Sequence, residues 1–191
     1  MTTTRRFVSS DLEAFPDDDD QRYEIIGGEL YVSKQPHFNH QRVCSRLDYK
    51  LQHWIEQGGN GHVAVAPGVI FAEDDDVAPD LVWLSADRMA KTLEPDGKLH
   101  GAPELIVEVL SPGAANEKRD REAKLLLYSR RGVDEYWIVD WRRRRIEVFR
   151  PQEGRLALVG TLDESSTLTS PLLPSFTCPV ASVFSGISPD A

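Results

Sequence analysis

Glu104-Leu105-Ile106-Val107-Glu108-Val109-Leu110, closed by Ser111-Pro112-Gly113, is the stretch on which the fold turns. Apolar residues fall on both parities of this run, which marks a central strand covered on both faces. Glu108 stands inside it, between Val107 and Val109. A carboxylate there must be paired, protonated or bound to a cation, because burying it bare is costly. Upstream, Asp80 poses the same problem: it follows Pro79 and runs directly into Leu81-Val82-Trp83-Leu84. Downstream, a charged helical pattern from about Ala115 to Arg131, ended by Gly132, carries Lys124. On a helical wheel Ala123, Leu126 and Leu127 form its buried arc. Lys124 falls on the margin of that arc, where a long stem can lie on the sheet and send the ammonium to the strand ends. The simpler alternative is a surface lysine paired with Asp120 one turn away.

The rest of the chain reads as scaffold. Ser10, Asp11, Pro16 and the run Asp17 to Asp20 form a polar, turn-rich lead-in of like charges that stay solvated. Tyr23 to Ile26 and Glu29 to Val32 flank Gly27-Gly28, a hairpin signal. Asn39 can cap an amphipathic helix through Val43, Leu47, Leu51, Trp54 and Ile55, ended by the Gly58 to Gly61 segment. His62 to Ala72 reads as two short strands, or one bent at Pro67-Gly68, with Glu73 to Asp76 as a turn into the Asp80 strand. Ser85-Ala86-Asp87 opens a short helix or turn. Glu135 to Asp140 is another strand apolar on both parities. Ile146 to Phe149 and Leu156 to Val159 pair around Gln152-Glu153-Gly154, and a short helix covers Val180 to Phe184. The expected architecture is mixed α/β, a sheet flanked by helices with added hairpins. All 191 residues are expected in one domain, with 1–20 as lead-in and a core over about 21–185.

Charge and composition narrow the function. Hydrophobic content of 40% and charged content of 28% are ordinary for a globular protein. The net charge of −9 argues against coating nucleic acid by bulk attraction, but leaves room for a local basic groove. Arg142 to Arg145, with Lys118, Arg119, Arg121, Arg130 and Arg131, are either solvated charges or such a path for phosphates. Cys44 and Cys178 lie far apart and in no cysteine-pair metal spacing, which points to reduced thiols and a cytoplasmic setting. The first ten residues lack an apolar core for a signal peptide, and no membrane-length apolar run appears.

Asp80 and Glu108 can meet only if adjacent strands carry them side by side. Two such acids suit a hard divalent cation, magnesium above all. A nearby ammonium would orient the attacking water or stabilise a crowded phosphate electrostatically. Glu29 and His40 are further candidates for the site, each with a plain surface or capping alternative. Glu104 reads as a solvated strand end and Asp140 as a turn residue.

With its lysine displaced, Pro79-Asp80, then Glu108-Val109-Leu110, then Lys124 resembles the PD-(D/E)XK nuclease superfamily. The usual lysine position, two after the second acid, is Leu110 here, and Lys124 stands as the migrant on the following helix. Further blocks are similar to the Uma family of restriction-endonuclease-like proteins. They are Tyr23-Glu24-Ile25-Ile26-Gly27-Gly28-Glu29-Leu30, Ala78-Pro79-Asp80-Leu81, and Gly101-Ala102-Pro103-Glu104 through Pro112. Arg119-Asp120-Arg121 with Lys124 and Tyr128, and Gly132 through Asp140, complete the set. The resemblance implies a restriction-endonuclease-like fold, a Mg2+ site (Mn2+ as substitute) at Asp80 and Glu108, and Lys124 as catalytic lysine. The expectation that follows is a metal-dependent endonuclease acting on DNA, as a homodimer. The alternative is a catalytically weak or inactive nucleic-acid-binding module on a nuclease fold.

Overall fold

The computed structural model describes residues 6–16 and 21–188. The Asp17 to Asp20 run of the lead-in lies outside the described residues, and Ser9–Ala14 forms a short 3-10 turn before it. Strands β1 (Gln21–Ile26) and β2 (Glu29–Lys34) make the expected hairpin. Gly27 (φ 59°) and Gly28 (φ 77°) occupy the left-handed conformations that its tight turn requires. Helix α1 (Phe38–Glu56) follows. Its cap is His37, whose Nδ1 accepts the Asn39 N–H at 3.1 Å. Asn39 therefore sits inside the first turn, its side chain donating to the Ser188 carbonyl instead of capping.

Next come β3 (His62–Val65), β4 (Val69–Ala72), β5 (Asp75–Val77) and β6 (Leu81–Leu84), then α2 (Ala86–Thr92) and β7 (Leu105–Val109). Asp75 and Asp76 belong to a strand, not to the turn expected of them, and β4 and β5 pair as a hairpin. The helix carrying Lys124 is continuous from α3 (Ala114–Lys118) through a π-helical stretch (Arg119–Lys124) into α4 (Leu125–Arg131). Gly132, left-handed at φ 79°, stops it. The chain closes with β8 (Glu135–Asp140), β9 (Arg145–Gln152), β10 (Arg155–Leu162), β11 (Thr167–Ser170), β12 (Leu173–Pro179) and α5 (Val180–Phe184).

Among the described residues the strands form three sheets: a six-stranded one ordered β10-β9-β8-β7-β6-β3, a four-stranded one ordered β2-β1-β5-β4, and the β11-β12 pair. In the largest, β7 and β8 run parallel and the other neighbours antiparallel. The α3–α4 helix makes the crossover that a parallel pair needs. One face of β7 and β8, through Leu105, Val107, Val109, Trp137 and Val139, packs on Val43, Leu47 and Leu51 of α1 and on α5. The other, through Ile106, Leu110, Tyr136 and Ile138, packs on Leu127 and Tyr128. Coverage on both faces explains the apolar residues on both parities of β7 and β8.

The helix facing that second layer is turned differently from the wheel. Its buried residues are Asp120, Lys124, Leu127 and Tyr128. Leu126 is 64% exposed. The expected arc of Ala123, Leu126 and Leu127, with Lys124 at its margin, is thus rotated toward Asp120 and Lys124, and both charges point inward.

Candidate functional site

The antiparallel register of β6 and β7 sets Leu81 against Val107, and continuing it one step sets Asp80 against Glu108 on the same face. The Val109 N–H donates to Asp80 Oδ2 at 2.8 Å, fixing the carboxylate at the strand end. Asp80 Oδ1 lies 3.2 Å from His40 Nε2 and 3.6 Å from an Arg22 guanidinium nitrogen. The first turn of α1 carries His40 to this point, and its Nδ1 stands 3.5 Å from Ser111 Oγ.

Glu108 Oε1 accepts from Lys124 Nζ at 2.9 Å and from the Tyr128 hydroxyl at 2.7 Å. The Lys124 ammonium, 1% exposed, also meets Glu24 Oε1 at 2.9 Å. Its partner is thus Glu24 with Glu108, not Asp120, whose Oδ1 accepts from the Arg119 Nε at 2.9 Å. Glu24 comes from β1, where its Oε1 also accepts the Ala78 N–H at 3.0 Å. The sequence reading passes over Glu24, yet the criterion that selects Glu108 selects it too, since Tyr23 and Ile25-Ile26 flank it. Tyr128 and Arg22 are likewise added by the structure.

A cleft of about 710 Å³ opens over this cluster. Its walls are the β1–β2 hairpin, the segment leading into α1, Ser111-Pro112 after β7, and the helix face bearing Arg119 and Lys124. Asp80, Glu108, His40 and Lys124 all line it.

Charge balance in the cluster is tight. Burial drives the Glu108 carboxyl up to about 8, with Asp80, Asp120 and Glu24 adding to the rise against the pull of Lys124. Burial also works against ionised Asp80, but His40, Lys124 and the Val109 N–H outweigh it and hold that carboxyl below its ordinary value. Glu24 is held down in the same way by Lys124 and Arg119. Burial opposes charge on Lys124, and the surrounding acids overcome it, so the ammonium keeps its proton. Asp80 and Glu108 offer carboxylate oxygens, the donor type that a hard dipositive ion takes. The hydrogen bonds drawn on Glu108 fall on Oε1, and Oε2 receives none among the described residues.

Other expected participants stand elsewhere. Glu29 is exposed at the hairpin and accepts from the Tyr31 hydroxyl at 3.1 Å. Glu104 is no solvated end: it accepts from Ser85 Oγ at 2.6 Å, tying β7 to the start of α2. Asp140 closes its turn as expected, accepting the Arg143 N–H at 2.9 Å. The basic residues have acidic partners. Arg130 and Arg131 both reach Asp75, Arg121 and Arg145 reach Glu147, Arg142 reaches Glu117, and Arg144 reaches Glu164. Arg143 pairs with Asp140 and Lys118 with Glu122.

The mixed sheet with helices on both faces is a nuclease-like fold, as comparison with a solved structure shows. The chain aligns with the crystal structure of a putative nuclease belonging to DUF820 from Anabaena variabilis. The TM-score is 0.74 at 16% identity, over 94% of this chain and 98% of that one. A type IIG restriction endonuclease, BpuSI, aligns with TM-score 0.44 and 13% identity over 76% of this chain and 15% of its own length. No curated protein matches. The chain belongs to the Uma2 family, described as putative restriction endonuclease, whose model matches residues 9–181. Among the described residues no helix is long and apolar enough to cross a membrane.

Proposed function

We propose that this chain is a divalent-metal-dependent endonuclease that hydrolyses phosphodiester bonds in DNA, working as one domain. Asp80 and Glu108 hold Mg2+, or Mn2+ in its place. Bound there, such an ion neutralises phosphate charge and makes a coordinated water more acidic. The observation that carries the reading is Lys124 Nζ at 2.9 Å from Glu108 Oε1, in the same cleft as Asp80.

An ammonium has three hydrogens to donate, and Glu24 and Glu108 take two of them. The third serves the attacking water or a phosphoryl oxygen. Hydrolysis forms one bond from water oxygen to phosphorus and breaks one phosphorus–oxygen ester bond. The lysine stays protonated through this and acts by charge and orientation. Tyr128 and Glu24 hold the lysine and Glu108 in register, and the Val109 N–H does the same for Asp80.

The test is cleavage of plasmid and single-stranded DNA in magnesium by the wild type, Asp80→Ala and Glu108→Ala. Cutting by the wild type alone supports the reading; equal cutting by all three rejects it. The second reading, a nucleic-acid-binding or interaction module with little turnover, rests on Leu110 standing at the usual lysine position and on the net charge of −9. Calorimetry separates the two, since a module without a metal site takes up no magnesium at millimolar concentration.

We place a homodimer contact at β10, the edge of the six-stranded sheet, where Leu158 and Val159 are exposed. A monomeric mass by light scattering at working concentration removes this part of the proposal.

A further inference from the structure

Beside the cleft stands a second set of donors, two of which, His40 and Cys44, the magnesium reading leaves unused. His40 and Cys44 stand one turn apart on α1, and Asp80 faces them from the head of β6. One ligand atom from each, an imidazole nitrogen, the Cys44 Sγ and a carboxylate oxygen, lie within 4.8 Å of one another. All three residues are buried. Ligands about 2.0–2.3 Å from a tetrahedral ion are separated by roughly 3.3–3.8 Å, so the widest-spaced of these atoms need to close by at most about 1–1.5 Å.

We propose that His40, Cys44 and Asp80 form a binding site for a borderline-soft late first-row divalent cation, Zn2+ being the type case. The donor set decides the class. Thiolate and imidazole select zinc, cobalt or iron over magnesium, which wants oxygen alone. The surroundings suit coordination. With its hydrogen on Nδ1, His40 donates to Ser111 Oγ and turns the Nε2 lone pair toward the ion. Asp80 keeps the Val109 N–H on Oδ2 and offers Oδ1. The ion replaces the His40–Asp80 contact and the half-buried Arg22 guanidinium beside it. Both His40 and Asp80 line the open cleft, which provides the access route and leaves the fourth position to water or substrate. Binding forms the sulfur–metal bond and releases the Cys44 thiol proton to solvent.

Cysteine spacing alone does not find this site, because Cys44 and Cys178 never pair. The His-x-x-x-Cys interval on a helix does, since it puts both side chains on one face.

The experiment is titration of the reduced, metal-free wild-type chain with Co2+, followed by absorption. A thiolate-to-cobalt charge-transfer band is expected. It should vanish in Cys44→Ala and persist in Cys178→Ala and Glu108→Gln. A wild type that gives no such band, or a band that survives Cys44→Ala, overturns the site. X-ray absorption at the zinc edge of the loaded wild type needs no variant. One sulfur scatterer at about 2.3 Å supports the site and its absence rejects it. Neither readout depends on DNA cleavage, although the site shares Asp80 with the proposed magnesium pair. Cleavage in magnesium without a cobalt band removes only this site, and a cobalt band without cleavage removes only the endonuclease reading.

Discussion

Lys124 and Glu24, one from the π-helical stretch and the other from β1 of a different sheet, meet at 2.9 Å with both side chains 1% exposed. The pair locks the small sheet and the crossover helix onto the strand that carries Glu108. Removing one member of a buried pair strands the other charge, at a cost of about 3–5 kcal/mol.

Glu24→Gln and Lys124→Met are each expected to lower the unfolding free energy substantially. The double variant should lose less than the sum, with a coupling on the order of 1–3 kcal/mol. Urea unfolding of the four proteins of the cycle measures it, and additive losses would mean that the pair contributes no mutual stabilisation.

A divalent cation held by the proposed site would bind the folded chain and not the unfolded one. Manganese at a hundred times its Kd should add about 2.7 kcal/mol of stability to the wild type. Glu108→Gln is expected to keep its fold and lose most of that increment. A thermal scan with and without manganese decides it, and an unchanged increment in Glu108→Gln places the ion elsewhere.

Leu126 and Leu127 are neighbours with opposite fates. Leu127→Ala should cost about 2–5 kcal/mol, because Leu127 lies wholly in the core beside Tyr128. Leu126→Gln should stay within about 0.5 kcal/mol. The reverse order of losses would show that the helix is rotated from the orientation described.

Asp140 gives a pH signature. Burial works against its charge, but the Arg143 side chain and backbone N–H outweigh burial and hold the carboxyl below its ordinary value. A carboxyl lowered in the folded state stabilises fully above its unfolded pKa, and this is lost as pH falls through the folded one. Wild type should therefore exceed Asp140→Asn in melting temperature at neutral pH, with the gap closing between about pH 5 and about pH 2. A gap that widens on acidification contradicts this account.

What could be read beforehand follows from how each residue is held. β7, β8 and the crossover helix announce themselves through local apolar pattern and stop signals, and the Asp80–Glu108 juxtaposition follows from the cost of burying acid. Glu24 is flanked by apolar residues as Glu108 is, so its burial is legible in the sequence, but its partner Lys124, far along the chain, is not. Asp75 escapes because an acidic run looks solvated until Arg130 and Arg131 converge on it. The cap at His37 depends on a ring nitrogen accepting a backbone hydrogen, which residue preference does not favour. Charges neutralised by distant partners are tertiary facts, and local pattern carries no trace of them.

His37 does more than start α1. Its ring stacks on Trp141 with centroids 5.1 Å apart and planes inclined by 16°, and His37 itself lines the cleft. The indole is thereby coupled to whatever enters next to that imidazole. Native fluorescence becomes an optical gauge of occupancy, readable on the unlabelled chain once Trp54, Trp83 and Trp137 are replaced by phenylalanine.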